Sequence, residues 1–255
     1  MDKPDKQHLP ATPDLGGWLG RIAPFLDEPL SETQTRQLLQ YASLLREWNE
    51  KINLTAIVDD EGIAVRHFQD SLTILPDLRK VQAHSQQPIV LADVGTGAGF
   101  PGLVIKIACP EIEVILIDAL AKRLKFLDAV ITELGLAGIR TVHARAEDAG
   151  RLPQLRERCD VVVARAVAAL PVLAEYCLPL VRTQGVFLAM KAQADDEIKA
   201  ARQAIHLLGG DKAESRTFTL PGTDMTRTIV TVQKTRKTPS LYPRKAGKVE
   251  QNPLK

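Results

Sequence analysis

The sequence predicts a doubly wound α/β fold around a mostly parallel sheet, on three observations. The first is Ile89 to Gly102, Ile-Val-Leu-Ala-Asp-Val-Gly-Thr-Gly-Ala-Gly-Phe-Pro-Gly, where a short apolar strand runs into Asp93, three alternating glycines and Pro101. Glycine lets the chain turn sharply and lets a ligand approach the main chain, and proline suits a helix start. A strand, a glycine turn and a helix N-terminus make the nucleotide-cofactor end of such folds. The second is the alternation of strand and helix patterns that follows, which demands parallel strands with right-handed crossovers. The third is a closing strand pair joined by Pro221-Gly222-Thr223-Asp224, a hairpin-like connection that sets an antiparallel strand in the sheet.

In order, residues 1–14 carry three prolines and read as a disordered lead. Residues 15–85 form a helical cap. Ser31 with Gln34 resembles a capping box, and Leu38, Tyr41, Leu45, Trp48 and Ile52 recur at helical spacing as one apolar face. Asn53-Leu54-Thr55 ends that helix, and a second covers about 61–75, its Arg66, His67, Asp70 and Ser71 reading as a solvated polar face. Residues 86–234 form the sheet domain. Strands are expected at 89–92, 113–117, 139–144, 160–163, 185–190, 216–220 and 228–233, with helices near 103–108, 120–134, 171–180 and 195–208. Residues 235–255 form a basic tail.

Of 255 residues, 45% are hydrophobic, enough for one large core and a small cap, and no run approaches the ~20 apolar residues of a membrane span. Cys109, Cys159 and Cys177 are odd in number and far apart, which points to reduced thiols in a cytoplasmic protein. The five histidines are scattered, so no metal site is expected. Net charge is only +2, yet Lys234 to Lys255 holds seven Lys or Arg against Glu250 alone. Such a run is either a solvated end or a nucleic-acid contact, and Leu241 to Gly247 stands in it as an ordered-looking island.

The glycine loop supports two cofactors. Gly97, Gly99 and Gly102 fit the dinucleotide pattern G-x-G-x-x-G, whereas Asp93 with Gly95, Gly97 and Gly99 fits the D-x-G-x-G-x-G loop of S-adenosylmethionine (AdoMet) methyltransferases. A pyrophosphate prefers helix N–H donors with no carboxylate nearby. A carboxylate at Asp93 suits a cofactor bearing an ammonium and a sulfonium, which favours AdoMet and leaves a nicotinamide-dependent oxidoreductase as the alternative. Asp93, Asp118, Ala146-Glu147, Arg165 and Lys191 each follow a proposed strand, where open α/β sheets bind ligands. Asp118 stands where a carboxylate accepts both hydroxyls of a ribose.

Several stretches then resemble one family: Trp48-Asn-Glu-Lys-Ile-Asn-Leu-Thr-Ala56, Arg66-His-Phe-Gln-Asp-Ser-Leu72, Asp93 to Gly102, Asp118-Ala-Leu-Ala-Lys-Arg123, Ala144-Arg-Ala-Glu147, Ala164-Arg-Ala166 and Leu241-Tyr-Pro-Arg-Lys-Ala-Gly247. Together they are similar to the small-subunit ribosomal RNA methyltransferase G family. The resemblance implies a Rossmann-like class I AdoMet methyltransferase with a seven-stranded sheet, acting on N7 of a 16S rRNA guanine. It implies cofactor contacts at Gly95, Phe100, Ala146-Glu147 and Arg165. Ala98, Phe100 and the Ala in Lys191-Ala-Gln depart mildly from the family pattern.

The residues are compatible with that chemistry. After strand four the chain has Ala164-Arg165-Ala166-Val167, with neither the Pro-Pro-Tyr turn of amine methylation nor the cysteine of pyrimidine methylation. Guanine N7 bears no proton, so positioning suffices without a base. The expected roles follow. Asp93, Gly95, Gly97, Gly99 and Phe100 hold the methionine side, Asp118 the ribose, Ala146 and Glu147 the adenine, and Arg165 sits between cofactor and base as the catalytic residue. Arg66, Arg123, Lys191, Tyr242, Arg244 and Lys245 are the expected contacts to 16S rRNA, within the small subunit or an assembly intermediate, by a monomer without membrane attachment. The other alternative is a non-enzymatic RNA-binding assembly factor on the same fold.

Overall fold

The computed structural model describes residues 15–20, 25–26, 28–245 and 247–254, so the expected disordered lead lies outside the described residues. Seven strands, β1 (Val90–Val94), β2 (Glu113–Asp118), β3 (Ile139–His143), β4 (Cys159–Arg165), β5 (Val181–Lys191), β6 (Glu214–Thr219) and β7 (Thr226–Gln233), form one sheet. Their order is β3-β2-β1-β4-β5-β7-β6. Only β7 runs against its neighbours, β5 and β6. This is the Rossmann-like arrangement expected of a class I methyltransferase, with its antiparallel last strand. The order reverses between β1 and β4, so the ligand crevice belongs at their carboxyl ends.

Helices α1 (Leu15–Leu19) and α2 (Glu32–Ile52) begin the N-terminal extension. Ser31 makes both bonds of the expected capping box with Gln34, and Asn53 ends α2 in the left-handed conformation at φ 49°. Next, α3 (Asp60–Gly62) runs through a π-helical section (Ile63–Gln69) into α4 (Asp70–Leu72), followed by α5 (Leu75–Gln82). Between strands lie α6 (Gly102–Ala108), α7 (Ala121–Glu133), α8 (Ala146–Ala149), α9 (Leu170–Cys177) and α10 (Asp195–Leu207), and α11 (Lys248–Gln251) closes the chain.

Strand residues alternate between the two sheet faces. Leu91, Leu116, Val163 and Leu188 join a core with the N-terminal helices, α6 and α7. Ala92, Ile117, Val162 and Phe187 join a second core with α9 and α10. Every residue of α9 is buried, and a helix apolar on all sides must be covered on all sides. The sheet and α10 cover part of it, and the basic tail supplies the rest of that cover. Pro243 and Val249 are buried, and Leu254 packs on the second core. Lys234 has no exposed surface; its Nζ donates to the carbonyls of Leu178 and Val181 and to Thr238. Thus, of the two alternatives for the tail, the solvated end does not hold: the segment is docked on the second core. Glu175, fully buried in α9, receives Arg244 through its backbone N–H, Nε and Nη2 at 2.6–3.1 Å.

Removing one partner of such a buried pair strands the other charge, at roughly 3–5 kcal/mol. Arg244→Ala should therefore lower the urea-unfolding free energy by about that amount, and the Glu175→Leu/Arg244→Met double variant should recover most of it. A single variant within 0.5 kcal/mol of wild type would mean that the pair does not hold the tail.

Candidate cofactor and acceptor site

At the carboxyl end of β1 the chain turns through three glycines. Gly95, Gly97 and Gly99 have φ of 68°, 62° and 99°. A Cβ at Gly95 would sit 2.7 Å from Cγ2 of Val167, in the loop after β4, and one at Gly99 would sit 2.4 Å from Cδ1 of Leu103. Asp93, within β1 rather than beyond it, has no exposed surface. Its Oδ2 accepts from Thr96 Oγ1 at 2.7 Å and from Gly102 N–H at 2.9 Å, which ties both ends of the loop to the strand. Its Oδ1 is buried without a hydrogen-bond partner. Tyr41, on α2, donates to the Ala98 carbonyl, so the N-terminal extension holds the loop from behind.

Beside the loop lies a cavity of about 200 Å³. Gly95, Asp118, Ala146 and Glu147, four of the predicted cofactor residues, line it together. Arg123, Tyr176 and Glu250 line it too. Asp118 Oδ2 accepts from Gly97 N–H at 3.0 Å and Oδ1 from Leu120 N–H at 2.8 Å, with Arg123 at 3.3 Å. Asp93, Gly97, Gly99, Phe100 and Arg165 are not in the lining; the first three shape the loop, and the last two belong to a neighbouring cluster.

In that cluster Arg165 donates from Nη1 to Asp70 Oδ2 at 2.9 Å and to the Arg66 carbonyl at 3.2 Å. Arg227 donates from Nε to the other Asp70 oxygen at 2.7 Å. The Arg165 guanidinium lies 5.2 Å from the Phe100 ring centre, and His67 stacks on that ring at 4.2 Å. His67, Asp70 and Ser71 are buried, so the expected solvated face holds only for Arg66. The reason is charge pairing: two arginines from distant strands meet the Asp70 carboxylate, which the sequence pattern of the helix alone does not reveal. Burial first, then Arg165, lowers His67 to about 4, so its ring is neutral near pH 7.

The six expected RNA contacts divide. Arg66 and Lys245 are exposed. Arg123 faces the cavity, Tyr242 is half-buried against the second core, and Arg244 is taken by Glu175. Lys191 donates to the Ala168 carbonyl at 2.6 Å and pairs with Glu197 at 2.8 Å. Among the described residues no group of three or more His, Cys, Asp or Glu is placed to hold a metal, and no helix is long and apolar enough to cross a membrane.

The residues present fit AdoMet. Asp118, Glu147 and Glu250 present acceptors for hydroxyls and amines and oppose a pyrophosphate, and the unpaired Asp93 Oδ1 suits a cationic group. Strand order, glycine loop and cavity together define an AdoMet-dependent methyltransferase. The model of the family described as rRNA small subunit methyltransferase G matches residues 34–225. The chain is 48% identical over 225 residues to ribosomal RNA small subunit methyltransferase G of Acetivibrio thermocellus, covering 88% of this chain and 90% of that protein. For the protein of the same name from Desulfitobacterium hafniense the figures are 47% over 247 residues, 96% and 99%. The chain belongs to this family.

Burial raises Asp93 from 3.8 to about 6, against the lowering effects of Thr96, Gly102 and Arg165. A raised carboxyl binds its proton more tightly folded than unfolded, so its contribution to stability falls as pH rises from about 4 through 6 and stays low above. Measured against Asp93→Asn, the wild-type unfolding free energy should therefore fall by up to about 3 kcal/mol across that window. A difference independent of pH would show that Asp93 does not titrate there.

Proposed function

We propose that the chain transfers the methyl group of AdoMet to N7 of a guanine in 16S rRNA, with the acceptor base at the Arg165–Asp70–Arg227 cluster. Bound AdoMet supplies a methyl group on a sulfonium. Asp118 holds the ribose, Ala146 and Glu147 the adenine, Gly95 a close backbone approach, and Asp93 the methionine side. The single observation that supports the reading most is this cluster of two arginines on one buried carboxylate, Asp70, at the carboxyl end of β4 beside the glycine loop. It offers a guanidinium to the guanine O6 edge while leaving N7 open.

No residue is required to remove a proton, and His67 beside the cluster is buried and, with its pKa lowered to about 4, a weak base. Cysteine chemistry is equally poorly served. Cys159 and Cys177 are buried, burial raises the Cys159 thiol to about 12, and Cys109 packs on the first core. The acceptor gains positive charge as it is methylated, which an unpaired Arg165 would oppose. Asp70 offsets that charge and fixes the guanidinium. Arg66 and Lys245 meet rRNA phosphates, in the cytoplasm, with the chain acting as a monomer on the small subunit or a precursor.

The reading is tested by methyl transfer to 16S rRNA followed by chemical cleavage at N7-methylguanine. Label at a single guanine N7 is expected, and label elsewhere would overturn it. Asp70→Asn should lower the single-turnover rate by ten- to a hundred-fold, about 1.4–2.8 kcal/mol, while rRNA affinity stays level or tightens because the cluster gains net positive charge. Equal losses in rate and rRNA affinity would show that Asp70 serves binding alone.

A further inference from the structure

The tail reaches the cofactor cavity. Tyr176 Oη donates to Glu250 Oε1 at 3.1 Å, and both line the cavity with Asp118, Arg123 and Glu147. The chain leading to Glu250 is anchored at several points. Arg156 donates to the carbonyls of Tyr242 and Thr238, and Arg151 to those of Leu241 and Pro243. Pro243 lies against Gly150, where a Cβ would be 2.9 Å from its Cγ. Gly150 directly follows α8, the helix that carries Ala146 and Glu147. Gly247, at φ 79°, then turns the chain into α11, and buried Val249 seats that helix beside Tyr176.

We propose that the C-terminal segment is a wall of the cofactor site: the Tyr176–Glu250 pair closes the adenosine cavity, so that AdoMet binding and docking of residues 238–254 strengthen each other. The inference rests on the AdoMet reading and goes beyond it, because it gives the basic tail a role toward the cofactor. Glu250 is the third carboxylate of the cavity, after Asp118 and Glu147, against two cations, Arg123 and Arg145, so the lining keeps a net negative charge. That balance selects a nucleoside rich in N–H and O–H donors and free of phosphate. Glu250 is an acceptor for that nucleoside, and Tyr176 is a positioning residue that orients the Glu250 carboxylate.

Calorimetric titration of the full chain with AdoMet tests this, together with amide exchange over residues 239–252. Glu250→Ala should weaken AdoMet about tenfold, and Tyr176→Phe, which keeps the ring, about threefold. Reciprocity requires that saturating AdoMet slow exchange of the Lys248, Gln251 and Asn252 amides, which bond within the segment, and that this slowing shrink in Glu250→Ala. Unchanged affinity in both folded variants, or exchange at those amides indifferent to AdoMet, would overturn the inference while leaving the AdoMet reading intact. A wild-type chain that binds no AdoMet would overturn both.

Discussion

A carboxylate without solvent sits at the end of β1, and the site is built around satisfying it. Asp93 Oδ2 draws in Thr96 and Gly102, three and nine residues further along the chain, so the loop between them must fold back on the strand. That fold-back requires positive φ at three positions, which is why glycine stands at each. One oxygen remains unpaired, an unfavourable arrangement in the protein alone that a cation or donor relieves. A loop fixed in advance and an orphaned acceptor at one point are what a binding site held ready for its ligand requires.

Much of this was legible in the sequence because it is local. The capping box at Ser31, the glycine loop and the strand alternation each depend on residues within a few positions, and all appear in the fold. Asp118, Ala146 and Glu147 were legible for a related reason: the end of a parallel strand fixes where its next residues go. What escaped is what depends on partners far along the chain. Asp70 needs Arg165 and Arg227, 95 and 157 positions away, before its burial makes sense. Glu175 needs Arg244 in the same way. One signal was available: Leu170 to Cys177 is apolar nearly all round, so it has to be covered, and the ordered-looking island in the tail was the segment left to cover it.

The two faces of the sheet therefore support the two neighbouring sites, the arginine cluster and the cavity, from different elements. On one, the N-terminal extension presents Tyr41 behind the loop and Asp70 to Arg165. On the other, α9 and the tail present Tyr176 and Glu250 to the cavity. Stretches of the N-terminal extension that resemble the family divide between scaffold and site. Asn49, for example, accepts from the Leu54 and Thr55 amides and shapes the chain after α2, and Thr55 in turn meets His67 at 3.0 Å.

Where the faces meet, the loop after β4 separates the cavity from the arginine cluster, and its geometry explains the placement of Lys191. Ala166 sits at φ 54°, a conformation that costs a residue with a Cβ about 1 kcal/mol and needs support from its surroundings. Lys191 provides part of it by holding the Ala168 carbonyl, while Glu197 pairs with Lys191 and accepts from the Leu170 N–H at 2.6 Å. The loop is thus clamped just beyond the bend, with Val167 over Gly95 and Arg165 turned to Asp70. A lysine at the end of β5 reads in the sequence as a cation waiting for phosphate. In the fold its charge is already met by Glu197, and its bond to the Ala168 carbonyl holds the loop that lies between the cavity and the arginine cluster.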